Sequence, residues 1–174
     1  MRHVITALVQ NKPGVLAHVA GMFSARGFNI DSLVVGRTED PKLSRMTIVV
    51  VGDDRVLEQV RKQLGKLVAV VRVRDYQSVA FVERDLMLIR VNAPAEKRAE
   101  IVELVNLFRG RVVDVAPASL MVELSGPENK LEAFIDLARP YGIREVARTG
   151  VIAMHRGSEG SRGREQAEAL AETT

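Results

Sequence analysis

Residues 11–30, NKPGVLAHVAGMFSARGFNI, decide how the rest of the chain is read. The stretch contains a polar loop, a helix and the start of a strand. Val15, Leu16, Val19, Met22 and Phe23 fall at i, i+1, i+4, i+7 and i+8, the pattern of one buried helix face. A helix over 14–26 is therefore expected. Pro13 suits a first helical position, where a missing N–H costs nothing. Gly27 suits the left-handed position past the helix end. At the front of the helix the first N–H groups lack intrahelical partners and form a small positive pole that holds carboxylates or phosphates. Gly14 carries no Cβ, so a ligand can approach the backbone there. The amide of Asn11 can accept from an ammonium and donate to a carboxylate. A carboxylate receptor, an ammonium acceptor and small aliphatic neighbours together describe a site for a free apolar α-amino acid. Asn11 as a plain helix cap and Gly14 as a plain turn residue account for the same residues.

Working outward, 4–9 (VITALV) reads as a strand before the helix and 28–35 as a strand after it. The connection 36–44 (GRTEDPKLS) is turn-rich, with Pro41 blocking a regular ladder. Residues 46–51 (MTIVVV) form a strongly β-prone third strand. Gly52, Asp53 and Asp54 offer caps for a second helix with Val56, Leu57, Val60 and Leu64 on one face, ended by Gly65, and 67–73 (LVAVVRV) supplies a fourth strand. The order is βαββαβ, the ferredoxin-like unit.

The same order then recurs. After a connection at 76–82, a strand at 86–91 precedes a helix opened by Pro94, with Ile101, Val102, Val105 and Phe108 inward and an end near Gly110. Strands at 112–115 and 120–124 follow. Ser125, Gly126, Pro127 and Glu128 are expected to cap a helix with Leu131, Phe134, Ile135 and Leu137 inward, ended by Pro140 and Gly142. Residues 143–152 supply the last strand. VGDDRVLEQVRKQLGK against LSGPENKLEAFIDLARP is the clearest internal echo. The second copy keeps Asn92 and Pro94 in NAPA but has no glycine matching Gly14. The fold class is therefore α+β, two tandem ferredoxin-like domains at 1–76 and 77–157, with a glycine- and charge-rich tail at 158–174 expected to be flexible.

Composition bounds the function. The 174 residues are 47% apolar, without cysteine or tryptophan. That excludes disulfides, thiolate zinc sites and cysteine nucleophiles, and suits a reducing compartment. No secretory signal opens the chain, and no apolar run approaches the ~20 residues of a membrane span. Residues 1–76 carry 12 Lys and Arg against 7 Asp and Glu, while the remainder carries 13 against 15. His3, His18 and His155 have no metal-ligand spacing. No Ser/His/Asp constellation, P-loop or Rossmann fingerprint is present. Neither inner strand of the first unit carries the aromatics on which RNA-binding relatives of this topology stack bases. Copper chaperones of this topology need cysteines, and an acylphosphatase would want an arginine where the first loop has only Lys12. The chain reads as a binding or regulatory module, with no catalytic residues and no metal site.

With N-x-P-G-V-L at its strand-to-helix loop, the first unit resembles the ACT domain, a family of amino-acid sensors. GFNIDSL with LSRMTIVV, and then VERDLMLIRV, IVELVNLFRGRVVDVAP and IREVARTGVIAMHRG, resemble one branch of it over about 2–157, the regulatory small subunit of acetolactate (acetohydroxyacid) synthase. The resemblance implies a cytoplasmic chain without cofactors of its own that binds and activates a catalytic large subunit. It also implies feedback inhibition by valine in branched-chain amino acid synthesis. Thiamine diphosphate, FAD and magnesium would belong to that partner alone. It places valine at Asn11, Lys12, Pro13, Gly14, Val15 and Leu16, with Asn29 and Ile30 contributed by a neighbouring protomer of a homodimer. A stand-alone ACT-domain sensor acting on another partner is the alternative.

Overall fold

The computed structural model describes residues 1–77 and 79–157. The expected tail at 158–174 lies outside the described residues. The chain divides into two compact units, Met1–Val82 joined by the residues from Ala153 onward, and Glu83–Ile152.

The first unit runs β1 (Arg2–Gln10), α1 (Val15–Ala25), β2 (Ile30–Arg37), β3 (Leu43–Val51), α2 (Asp54–Leu64) and β4 (Val70–Asp75). Its sheet has the order β2-β3-β1-β4. β3 is antiparallel to both β1 and β2, and β4 is antiparallel to β1. Alternate residues of β1 and β3 face the helices. Ile5, Ala7, Met46 and Ile48 meet Val19, Phe23, Val60 and Leu64 in one apolar core. α2 starts because the Asp53 side chain accepts from the Val56 amide at 2.9 Å. α1 ends because Gly27 takes a left-handed φ of 68°. Its amide and that of Phe28 then bond back to Ser24 and Phe23, closing the free carbonyls of the last turn.

The chain continues with β5 (Phe81–Asn92), whose first two residues fall in the first unit, then α3 (Ala95–Leu107), β6 (Arg111–Ala116), β7 (Ser119–Gly126), α4 (Glu128–Ala138) and β8 (Ile143–Arg148) of the second unit, and ends in β9 (Ile152–His155), which returns to the first unit after Ile152. The order β6-β7-β5-β8 repeats that of the first sheet, with β9 pairing β5. Met87, Ile89, Leu120 and Leu124 face Ile101, Val105, Leu131 and Phe134 in a second core. The echo noted in the sequence is structural, since α2 and α4 both span 11 residues between the third and fourth strands of their units.

Several expectations are corrected. α1 begins at Val15 with Gly14 as its N-cap, so Pro13 lies ahead of the helix and not at its first position. β2 begins at Ile30, which leaves Phe28 and Asn29 in the connection that the Gly27 turn organises. Residues 67–69 form a turn closed by Val70 N–H on the Leu67 carbonyl, and β4 starts only after it. Ser125 and Gly126 belong to β7, and Pro127 takes the cap position of α4 without a side-chain bond. Leu137 is 51% exposed because Ala138 fills the inward position at that turn. The last strand is two, separated at Gly150, whose φ of 86° breaks the ladder.

An ion cluster anchors that break. Asp85 is 1% exposed and fully engaged. Arg148 Nε donates to its Oδ2 at 2.8 Å, and Thr149 Oγ1 and Gly150 N–H donate to Oδ1 at 3.2 Å each. Glu132 holds the far side of the same guanidinium. Desolvation raises the cost of burying these charges, and the complete set of bonds offsets it. Asp85→Ala leaves the Gly150 amide without its acceptor and takes from Arg148 its buried carboxylate. We expect a loss of about 3–5 kcal/mol of stability, read as a lowered midpoint in urea unfolding, with Asp85→Asn losing less. A parental midpoint in Asp85→Ala would show that the corner is held by something else.

Candidate functional site

β1 ends at Gln10 and the chain leaves the sheet through residues 11–14. Two backbone bonds fix the departure. Gln10 N–H donates to Ala69 O at 2.8 Å and Asn11 N–H to Lys42 O at 2.7 Å. Lys12 N–H turns back on Gln10 O at 3.0 Å. Gly14 then takes φ 83°, a left-handed geometry that side-chain-bearing residues reach only under strain. Its carbonyl accepts the first helical bond of α1, from His18 N–H at 2.9 Å. No side chain caps the helix; Val15 N–H makes a long bond to Lys12 O at 3.5 Å, and the amides of Leu16 and Ala17 are left to solvent or a ligand.

Asn11 is not that cap. Its Nδ2 donates to Pro41 O at 2.9 Å. The amide is thereby pinned across the gap to the 38–42 turn, which fixes which end is the acceptor. Oδ1 has no bond to another group among the described residues. Accepting from an ammonium is thus available at Oδ1, while one of the two Nδ2 hydrogens is taken by Pro41. The part played by Pro41 and Lys42 was not anticipated, although antiparallel pairing of β1 with β3 places the turn before β3 beside the loop after β1.

The structure brings six of the eight expected residues together. Asn11, Lys12, Pro13 and Gly14 are exposed and Leu16 is 46% exposed, an apolar surface at the helix start. The Val15 side chain is buried in the core, so only its backbone faces this region. Asn29 and Ile30 stand apart. Ile30 lies opposite Val50, which also lies opposite His3. Gln10 lies opposite Leu43 at the other end of the same strands. Seven residue steps along β1, from His3 to Gln10, separate the two ends by roughly 24 Å. Within one chain Asn29 and Ile30 are therefore remote from the loop, and Ile30 packs partly against the core.

The second unit has no open counterpart. Asn92 N–H donates to Gly142 O at 2.8 Å and Ala93 N–H to Ala118 O at 2.9 Å, the same two bonds that Gln10 and Asn11 make. Asn92 is thus the equivalent of Gln10, not of Asn11. The helix begins three residues after it instead of five. The literal match of NAPA with NKPG is out of register, and the loop is two residues shorter. The Asn92 amide accepts from Arg144, and Arg98 Nη2 donates to the Ala93, Ala116 and Pro117 carbonyls at 3.1, 3.0 and 2.7 Å, closing the space.

Among the described residues no group of three or more His, Asp or Glu is placed to hold a metal ion. His3 Nε2 sits 3.1 Å from the Gly52 carbonyl, and the His155 ring stacks on Tyr76. No helix among these residues is long and apolar enough to cross a membrane.

Comparison with known proteins places this geometry. Residues 5–72 match the family described as the AHAS small subunit-like ACT domain, and residues 84–157 match the small subunit of acetolactate synthase. A probable acetolactate synthase small subunit of Archaeoglobus fulgidus is 60% identical over 91% of this chain and 99% of its own length. The chain belongs to the acetolactate synthase small-subunit family. A second probable small subunit, from Methanothermobacter thermautotrophicus, is 54% identical over 90% of this chain and 94% of its own. The crystal structure of the Thermotoga maritima small subunit superposes with a TM-score of 0.83 at 44% identity, covering 91% of this chain and 99% of that one. The two ferredoxin-like domains are thus the small-subunit architecture, and the loop at 11–14 lies inside its ACT domain.

Proposed function

We propose that this chain is a regulatory subunit that binds the catalytic subunit of acetolactate synthase, raises its activity and makes it sensitive to valine. It performs no chemistry itself, and thiamine diphosphate, FAD and magnesium act in the catalytic partner. The observation that carries the reading is the uncapped start of α1 behind a left-handed Gly14, beside an Asn11 whose Oδ1 is free to accept. The valine carboxylate takes the amides near Gly14, Val15 and Leu16, where the helix dipole favours an anion. The ammonium takes Asn11 Oδ1. The isopropyl group rests against Leu16.

The remaining wall comes from a second copy. β2 is an edge strand of the first sheet. Its Arg37 end lies opposite Ser44, at the same end of the sheet as the Asn11 loop. Antiparallel pairing of two β2 strands about a twofold axis carries the partner's Asn29 and the partner's Ile30 toward that end. A pocket shared in this way makes valine sensitive to the dimer arrangement, and a ligand shifts an equilibrium only by its difference in affinity between states.

Titration calorimetry of the full chain with valine, leucine and isoleucine tests this, followed by activity assays with an acetolactate synthase catalytic subunit. We expect saturable binding of valine, stimulation of the catalytic subunit, and loss of that stimulation as valine is added. Absence of valine binding both alone and in the reconstituted complex, or activity unmoved by saturating valine, would refute the proposal.

A further inference from the structure

β4 forms the other edge of the first sheet, paired with β1 and, among the described residues, with no other strand. An edge of this kind presents unpaired N–H and C=O groups to another chain. Arg72 lies opposite Leu8 and Arg74 opposite Thr6. Arg45 of β3 lies on the other flank of Leu8. Leu8 and Thr6 alternate with Ile5, Ala7 and Val9 of the core, so the three arginines share the face that carries no helix. All three are half-buried. Among the described residues none of their side chains makes an ion pair or hydrogen bond. The nearest acid in sequence, Asp75, lies opposite Ile5 on the helix-bearing face.

Half-buried arginines of the second unit are treated differently. Arg90 pairs with Asp114 at 3.2 Å, and Arg98 is bonded to three carbonyls. Burial, with the charge of Arg74 beside it, pushes Arg72 below the ordinary arginine range. An incoming carboxylate favours the charged guanidinium and so works against both effects.

We propose that the β4 edge docks an extended acidic segment of another polypeptide, which adds as a strand beside β4 and sets carboxylates at alternate positions against Arg72 and Arg74. Side chains two apart on a strand share a face and stand ~7 Å apart. An acidic segment of the same period therefore matches the arginines one to one, as cross-strand pairs of opposite charge. A second copy of this chain does not fit, because its own β4 would bring arginines against arginines. A free polyphosphate would gather guanidinium groups around one centre, whereas the strand spaces them in a row. The proposal does not rest on the valine reading, since it uses no residue of the 11–14 loop.

The test is fluorescence anisotropy with the full chain and a labelled synthetic peptide of alternating Glu and Thr, its Lys and Thr counterpart, and tripolyphosphate as competitor. We expect saturable, salt-sensitive binding of the acidic peptide alone, weakened about tenfold in Arg72→Gln/Arg74→Gln. We expect the preference to invert toward the basic peptide in Arg72→Glu/Arg74→Glu. Thermal unfolding of each variant checks that it is folded, and the Gln pair decides the matter should the Glu pair not fold. No binding of the acidic peptide, equal binding by the Gln variant, or binding of tripolyphosphate without the peptide would each overturn the proposal.

Discussion

Met46→Asp will yield a chain whose first unit does not fold cooperatively. Met46 is 1% exposed and sits in β3 between Ala7 of β1 and Val35 of β2. It faces the helices, in the same cluster as Ile48, Val50 and Phe23. A carboxylate there has no cation and no donor to replace water. Its effective desolvation cost is several kcal/mol, even when relieved by protonation. Lost packing of the methionine side chain adds about 2–5 kcal/mol. Together these consume most of the ~5–15 kcal/mol by which a domain is ordinarily stable. Circular dichroism during a thermal ramp is the measurement. Met46→Leu, which conserves volume and apolarity, is the control and should stay within about 1.5 kcal/mol of the parent. A parental melting temperature in Met46→Asp would mean that β3 does not lie at the centre of the sheet.

The same strand shows how much was legible before any coordinates. MTIVVV is β-prone on both faces, and its neighbours alternate with helical periods, so the order βαββαβ followed from local pattern alone. So did the cap at Asp53 and the turn at Gly27, since both are short-range devices. The errors cluster where the decision is tertiary. Pro13 satisfies the rule for a first helical residue, but the left-handed Gly14 places the helix start two residues later. Leu137 falls at an acceptable angle for an inward residue, and only the packing of α4 assigns that position to Ala138. Asn92 and Pro94 imitate Asn11 and Pro13 in spelling, while backbone bonding shows a shift of one residue and a shorter loop. The loop proposed to hold the ligand was singled out because glycine and proline at a strand-to-helix junction have a local meaning. The carbonyl of Pro41 that orients Asn11 comes from 30 residues away, through the register of β1 on β3. No local pattern encodes that contact.

Gly14→Asp should remove the response to valine while leaving stimulation of the catalytic subunit intact. A Cβ built on Gly14 meets no atom within 4 Å, so the substitution collides with nothing in the chain. Its cost is the left-handed backbone, about 1 kcal/mol, and Asp is among the residues that tolerate it best. A carboxylate at the N-cap of α1 also offers the first-turn amides an acceptor, worth up to about 1 kcal/mol. Stability should therefore change little. The new carboxylate competes with the ligand carboxylate for the same donors and repels it across a few ångströms, so binding weakens by both routes. Gly14→Ala separates them, since it keeps the backbone strain and removes the charge. The expected order of valine affinity is wild type, then Gly14→Ala, then Gly14→Asp with no saturable binding. Retained valine sensitivity in a folded Gly14→Asp subunit would move the pocket away from the start of α1. Loss of stimulation together with loss of valine binding would mean that the loop also contacts the catalytic subunit, and that sensing and activation share one surface.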